Sequence, residues 1–384
     1  MNVVLYFQPT HGICSPQKLA GVVDTAEKIR WNVQVVRGFP TPARFRGLAE
    51  LWQPAGVIAE CGDDRGNLDP KAFNGLPTVL LCGNHQLAAP NVVCVSHDNA
   101  ATAQSAAKEL LRTGMENFAF IPDRNGLEWS RQRGKSFADT IALNGRTCRS
   151  FRCPSTDPTE RQRLLRGFLM GLRRPCAVFA ANDETAAETI AAARHLGISV
   201  PDQLAVLGVD NDEAICEHTQ PRLSSVEPDF REGGRMAMLM LVALARSGRR
   251  FVGLRQRFFG PWRVVRREST LRLNTYDRSV IEMLEFIRRE ACNGLTAKAV
   301  AARCPRSRPI TDARFQAATG HSILAEIHAV QLETAQRLLS NPKQQLGAIA
   351  DFCGFKNPNS LRKFFRRETG MTMSAWRRLH AAAP

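Results

Sequence analysis

Apolar residues gather along this chain in two different ways. Up to about residue 250, short runs rich in Val, Ile, Leu, Phe and Ala recur at 3–7, 33–36, 56–59, 78–82, 92–95, 118–121, 177–180 and 204–208. Runs of four or five apolar residues are too short for helices and predict strands buried on both faces. Between them, stretches at 100–112, 130–144, 160–172 and 184–196 carry apolar residues at helical spacing. Gly145 and Gly197 follow two of these where a helix C-cap is expected. Strand and helix in alternation is the pattern of a parallel α/β sheet, and the count suits two consecutive halves of about 130 residues.

From Tyr276 onward no strand run occurs and helical spacing takes over with short breaks. The change lies at 267–274. It divides the chain into an α/β core, 1–272, and an all-α domain, 273–384.

The all-α region repeats itself. Ala299-Val300-Ala301-Ala302-Arg303-Cys304 aligns with Ala348-Ile349-Ala350-Asp351-Phe352-Cys353 at an offset of 49 residues. Further on the offset is 50, pairing Phe315 with Phe365, Thr319 with Thr369, Gly320 with Gly370 and Ser322 with Thr372, so the second turn carries one extra residue. Each unit reads as a short helix, a tight turn and a second helix closed by Thr-Gly. Small residues on the first helix permit the close contact that a helix-turn-helix needs, and the second helix then projects toward a major groove. Ile323, Ile327, Val330, Leu338 and Leu339 mark a connecting helix over 323–340, ended by Pro342. Two units on a stiff connector suit successive major grooves, about 34 Å apart on one face of B-DNA.

Charge agrees with a polyanionic partner. The 384 residues carry a formal net charge of +16. Half of it falls from Thr275 onward, where 17 Lys and Arg stand against 9 Asp and Glu. Basic density is thus more than doubled in the part expected to meet DNA. The 11 cysteines form no CxxC pair and sit mostly in apolar runs such as Val93-Cys94-Val95, which reads as buried thiols in a reducing cytoplasm. No leader pattern or stretch of membrane-spanning length occurs, so neither secretion nor a membrane partner is expected. P-loop, GxSxG, HExxH and GxGxxG patterns are missing too; no catalytic residue, cofactor or metal is expected.

Ile349-Ala350-Asp351-Phe352-Cys353-Gly354-Phe355 resembles the Ile-Ala-x-x-x-Gly-Phe pattern of AraC-type DNA-binding domains. Asn359-Ser360-Leu361-Arg362-Lys363-Phe364-Phe365 stands where that family has its second recognition helix. The resemblance implies that Asn359, Ser360 and Lys363 face bases. The chemistry suits this, since Asn bonds adenine edges bidentately and Lys reaches guanine. Arg362, Arg366 and Arg367 read as phosphate contacts or solvated charges, and Leu361, Phe364 and Phe365 as core. The first unit departs from the pattern: Cys304-Pro305 replaces the usual glycine turn, and Thr311 a large apolar residue. Its base-facing positions hold Pro309, Asp312 and Ala313, which are poor donors, leaving Arg308 and Arg314 as DNA contacts. This unit is expected to position more than it specifies.

In the core, Val95-Ser96-His97-Asp98-Asn99, Gly208-Val209-Asp210-Asn211-Asp212 and Leu223-Ser224-Ser225-Val226 together resemble the LacI/GalR-type sugar-binding core, related to periplasmic sugar-binding proteins. Trp262-Arg263-Val264-Val265-Arg266-Arg267-Glu268-Ser269-Thr270 resembles its last strand. With the Trp129-to-Phe137 stretch and the Arg-Arg-x-Ser-Thr junction, the whole chain resembles those AraC-family regulators that carry a LacI-like core. The resemblance implies two Rossmann-like lobes with a monosaccharide, xylose or a related pentose, bound between them. It further implies control of a cytoplasmic activator that meets promoter or operator double-stranded DNA and RNA polymerase as a homodimer.

Sugars are held by charged and amide groups on adjacent hydroxyls and by an aromatic ring on the C–H face, at strand C-terminal ends. Trp129 suits the stacking surface, Arg133 a paired donor, and Asp183 and Asp210 hydroxyl acceptors. Asp64, with Asp63 beside it, and then His11 are the first lobe's lesser candidates. Other readings stay open: Asp183 and Asp210 as helix N-caps, Arg133 as a surface ion pair, Trp129 as core. Two other function classes also stay open, an α/β sugar-metabolising enzyme or a protein-interaction module fused to a DNA-binding domain.

Overall fold

The computed structural model describes residues 2–8, 15–38, 41–61, 73, 75–81, 91–155, 157–247, 255–271, 278–319, 321–339 and 344–380. It divides into two compact units, Met1–Arg272 and Leu273–Pro384.

The first unit opens with β1 (Val3–Gln8), α1 (Ser15–Lys28), β2 (Asn32–Arg37), α2 (Pro42–Trp52), β3 (Gly56–Glu60), β4 (Thr78–Leu81) and β5 (Val92–His97). There follow α3 (Asn99–Leu111), β6 (Asn117–Ile121), α4 (Glu128–Leu143), β7 (Cys148–Ser150), α5 (Pro158–Met170), β8 (Cys176–Ala180), α6 (Asp183–His195), β9 (Leu204–Val209), α7 (Glu213–Cys216) and β10 (Ser224–Pro228). The unit closes with α8 (Phe230–Ser247), β11 (Gln256–Phe259) and β12 (Pro261–Val265). Two six-stranded sheets result, ordered β11-β5-β4-β3-β1-β2 and β12-β10-β9-β8-β6-β7. Both are parallel apart from β12, which runs antiparallel to β10.

Helices cover both faces of the first sheet, and this explains why its inner strands read as unbroken apolar runs. Along β1, Val4 and Tyr6 face the side of α1 and α8, whereas Leu5 and Phe7 face α2. There Phe7, Phe45 and Phe73 form a ring cluster, with Phe7 stacked on Phe73 at 5.4 Å. Each ring so buried stabilises the fold by about 1.5–3 kcal/mol.

All eight apolar runs are strands, with Cys82 of the fourth lying outside the described residues. β11 escapes such a reading because three of its four residues are exposed at a sheet edge. β10 escapes it for the opposite reason: it is wholly buried, yet opens with Ser224-Ser225.

Among the described residues the chain crosses between the sheets three times, from β5 to α3, from β10 to α8 and from β11 to β12. Each crossing starts at the C-terminal end of a parallel strand, so those edges of the two sheets adjoin. An aromatic ring marks each crossing. His97 ends β5, Phe259 ends β11 and Phe230 begins α8, with His97 stacked on Phe259 at 5.3 Å and Phe230 edge-on to both.

The second unit holds α9 (Arg278–Glu290), α10 (Ala297–Ala301), α11 (Arg308–Thr319), α12 (Ile323–Leu339), α13 (Leu346–Phe352), α14 (Pro358–Thr369) and α15 (Met373–His380). Its internal repeat extends to individual hydrogen bonds. Thr319 Oγ1 donates to Phe315 O at 2.7 Å, and Thr369 Oγ1 to Phe365 O at 2.7 Å. Each hydroxyl also accepts a backbone N–H two residues on, from His321 or Met371, both at 3.2 Å. Ser322 and Thr372 then cap the next helices through Ala325 N and Ala375 N, both at 3.1 Å. The threonine of Thr-Gly is thus the pivot on which one helix ends and the next begins. Gly370 supplies the left-handed residue, φ 72°, that the turn requires; Gly320 lies outside the described residues.

Among the described residues, no helix is long and apolar enough to cross a membrane, and no group of three or more His, Cys, Asp or Glu could hold a metal ion.

Candidate functional site

Trp129, Arg133, Asp183 and Asp210, four of the residues expected to hold a sugar, sit where the two sheets adjoin. After β6 the chain turns on Asp123, whose carboxylate accepts from Asn125 N at 2.8 Å and Leu127 N at 2.9 Å. Ser130 Oγ closes the turn by accepting from Asp123 N at 3.0 Å. That turn delivers α4, which places Trp129 and Arg133 one helical turn apart, the guanidinium lying 4.6 Å from the centre of the indole. Trp129 is half-buried and packs against the second sheet's core.

Arg133 is buried, not a surface ion pair. Its Nε donates to Asn99 Oδ1 at 3.0 Å, Nη1 to Ala181 O at 2.5 Å and Nη2 to His97 Nδ1 at 3.0 Å. A guanidinium can only donate, so His97 Nδ1 must be the acceptor and Nε2 carries the proton, which it gives to Thr102 Oγ1 at 2.8 Å. Burial first, then the charges of Arg133 and Lys18, hold the His97 pKa well below its ordinary value, in keeping with a neutral ring. Lys18 is itself paired with buried Glu60 at 2.8 Å, and Tyr6 donates to the same carboxylate at 2.7 Å.

Across the second sheet, Asp210 follows β9. Its backbone N–H donates to Val226 O at 2.9 Å. Its φ is 109° and that of Asn211 is 51°, two of the four positive values that non-glycine residues adopt among the described residues. Conformations of this kind cost about 1–3 kcal/mol each and persist where surrounding bonds enforce them. Ser225 Oγ accepts from Asn211 N at 3.0 Å, and Asp183 Oδ2 accepts from Asp212 N at 2.8 Å.

On the DNA-binding side, α14 places Leu361, Phe364 and Phe365 in the core and leaves Asn359, Ser360, Arg362, Lys363, Arg366 and Arg367 exposed. Asn359, Arg362, Lys363 and Arg366 follow helical spacing and share one face. Asn357 caps the helix by accepting from Ser360 N at 2.9 Å, and Ser360 Oγ donates to the same oxygen at 3.1 Å. Asn359 Oδ1 accepts from Arg362 Nη1 at 3.0 Å. In α11 the equivalent surface is partly neutralised, since Arg308 Nε donates to Asp312 Oδ2 at 2.7 Å. Thr311 is fully buried and bonds back to Ser307 O at 3.1 Å, which is how an alcohol fills an apolar position. Arg314 is half-buried on the same helix.

Two family models match this chain, a periplasmic binding protein-like domain over residues 107–270 and a helix-turn-helix domain over 300–379. The xylose operon regulatory protein of Escherichia coli (strain K12) is 28% identical over 359 residues, covering 92% of this chain and 90% of that protein. Its counterpart in Haemophilus influenzae is 26% identical over 329 residues, 84% of each chain. The solved structure of the xylose-binding transcription activator XylR aligns with 99% of this chain and 98% of its own, at a TM-score of 0.58 and 25% identity. This chain is a homologue of the xylose operon regulatory proteins. It is a DNA-binding transcription regulator, with a periplasmic-binding-like core ahead of an AraC-type helix-turn-helix domain, and not an enzyme.

In this regulator one expected sugar ligand takes a different part. Asp183 is 2% exposed and both its oxygens are engaged, Oδ1 by Ser225 Oγ at 2.6 Å and Oδ2 by Asp212 N and by Cys216 Sγ at 3.3 Å. Burial, and then the charge of Asp210, push its pKa up to about 8, outweighing these donors. Asp183 therefore shapes the Asp210 loop instead of offering an acceptor to solvent. It is not a helix N-cap either; Asn182 caps α6 and Asp212 caps α7. Asp63, Asp64 and His11 lie outside the described residues. His97 and Asn99, singled out only as part of the Val95-Ser96-His97-Asp98-Asn99 resemblance, hold the Arg133 guanidinium. The available signal was a polar pair directly at the end of an apolar strand.

Proposed function

We propose that this regulator binds a monosaccharide, D-xylose or a related pentose, where its two sheets adjoin, and that binding controls transcription from promoter DNA. Trp129 offers the stacking ring, Arg133 the donor and Asp210 the acceptor. The observation that carries this reading is the alignment with the xylose operon regulatory proteins, which runs through both the core and the helix-turn-helix domain. A sugar that binds one state of the core more tightly shifts the population of that state, and control by sugar requires such a difference. The regulator acts in the cytoplasm as a homodimer that aligns its DNA-binding domains on tandem half-sites and recruits RNA polymerase.

Isothermal titration calorimetry of the full chain with xylose, arabinose, ribose and glucose tests the sensor. Heat is expected with a pentose and should be lost in Arg133→Ala and Asp210→Ala. Silence with every pentose and hexose overturns the reading.

A further inference from the structure

The segment that leads out of the core toward the helix-turn-helix domain is stitched to β10, and β10 also holds the Asp210 loop. Ser224 and Ser225 are neighbours on this strand, so their side chains leave opposite faces. Ser225 serves the loop, donating to Asp183 Oδ1 and accepting from Asn211 N. Ser224 serves the exit segment: its Oγ accepts from Arg267 N at 2.7 Å, donates to Arg267 O at 3.0 Å, and lies 2.7 Å from Thr270 Oγ1. Ser269 locks the same segment to β9 through Val206 O at 2.6 Å.

One side chain bridges the two sides. Arg267 is 7% exposed. Its Nη1 donates to Asn211 Oδ1 and to Leu223 O, both at 3.0 Å, and its Nε to Glu217 Oε1 at 2.5 Å. The acceptor Asn211 is one of the two adjacent left-handed residues, next to Asp210. A buried guanidinium of the exit segment thus depends for part of its solvation on the loop that carries the sugar acceptor. Losing one partner of a buried charged hydrogen bond is costly, so a shift of this loop is felt by Arg267, whose main chain belongs to the exit segment.

We propose that the Asn211–Arg267 hydrogen bond couples occupancy of the sugar site to the DNA-binding domain. This rests on the function proposed above. Sugar engaged on Asp210 resets the strained pair 210–211, Arg267 loses or regains the Asn211 amide oxygen while Glu217 retains it, and the segment 266–271 changes its set against β10.

The experiment measures promoter-DNA affinity of the full chain with and without saturating D-xylose, and D-xylose affinity without DNA. For the unmodified chain the two DNA affinities should differ by about 5- to 150-fold, the usual range for coupled sites. In Asn211→Ala the ratio should fall to near one. In Asn211→Asp, which keeps an oxygen for Arg267, the ratio should stay clearly above that of Asn211→Ala. Thermal melts of both variants identify any loss of fold, and if Asn211→Ala melts early the comparison rests on Asn211→Asp against Arg267→Lys, where the lysine variant should lose the ratio. A variant lacking the bond that keeps the full ratio overturns the coupling and leaves the sugar site standing. An unmodified chain that binds no sugar overturns both.

Discussion

The two helix-turn-helix units share one frame and differ in what they present on it. Thr319 and Thr369 make the same bonds, Phe315 and Phe365 are both fully buried, and α11 and α14 are both 12 residues long. Their outer faces diverge. α14 shows an Asn, a Lys and two Arg along one face, whereas α11 shows Pro309 and Ala313 and spends Arg308 on Asp312. Interior positions answer to packing and outer ones only to the partner, so the frame is retained where the reading surface is not. The second unit is thereby suited to choosing sequence and the first to holding register on the phosphates.

The largest expected effect tests the shared frame. Phe315→Ala and Phe365→Ala should each destabilise the C-terminal unit by about 3–5 kcal/mol, followed by denaturant unfolding. A large cost in one unit and none in the other would mean that only one is a folded helix-turn-helix. Next comes the divergence. Lys363→Ala or Asn359→Ala should cost about 1–3 kcal/mol of binding to the cognate operator, and much less on random duplex. Arg314→Ala should instead weaken both to a similar degree, with a shallower salt dependence. Equal losses on both DNAs for the α14 variants would erase the distinction between the units.

A smaller effect concerns the turn. Gly354 has φ 77°, and a Cβ there would approach Cys292 O to 2.6 Å, so Gly354→Ala should destabilise by about 1–3 kcal/mol. Pro305→Ala, at an exposed position in the other turn, should stay within about 0.5 kcal/mol. A modest effect of the opposite sign is expected from Asp312→Ala. It releases Arg308 from an exposed pair and should tighten DNA binding about two- to fivefold, seen in a fluorescence titration at low salt; a loss of affinity would show that Asp312 serves the DNA contact.

Much of this could be read along the chain, because periodicity reports burial and burial organises both units. The eight strands with apolar runs, the repeat and its threonine pivots follow from patterns in residue type, whereas β10 and β11 do not. What could not be read is where polar groups spend their hydrogen bonds. Asp183 has the residue type and the place of a sugar ligand, yet Ser225, 42 residues away in sequence, takes its oxygen. His97 looked like part of a family pattern, and only the fold brings Arg133 to its Nδ1. Long-range partners of this kind leave no periodic trace.

One buried amide in the second unit has a further consequence. Gln331, on the connecting helix α12, donates through the same Nε2 to Ala291 O at 3.0 Å, beyond the end of α9, and to Cys353 O at 3.2 Å, at the end of α13. Sliding either unit along α12 would strand a buried carbonyl, so the pair behaves as a ruler of fixed length instead of two beads on a tether. Such a ruler measures DNA in helical turns. Adding a whole turn between the two contacted grooves places the second out of reach, and adding half a turn places it on the far side of the duplex.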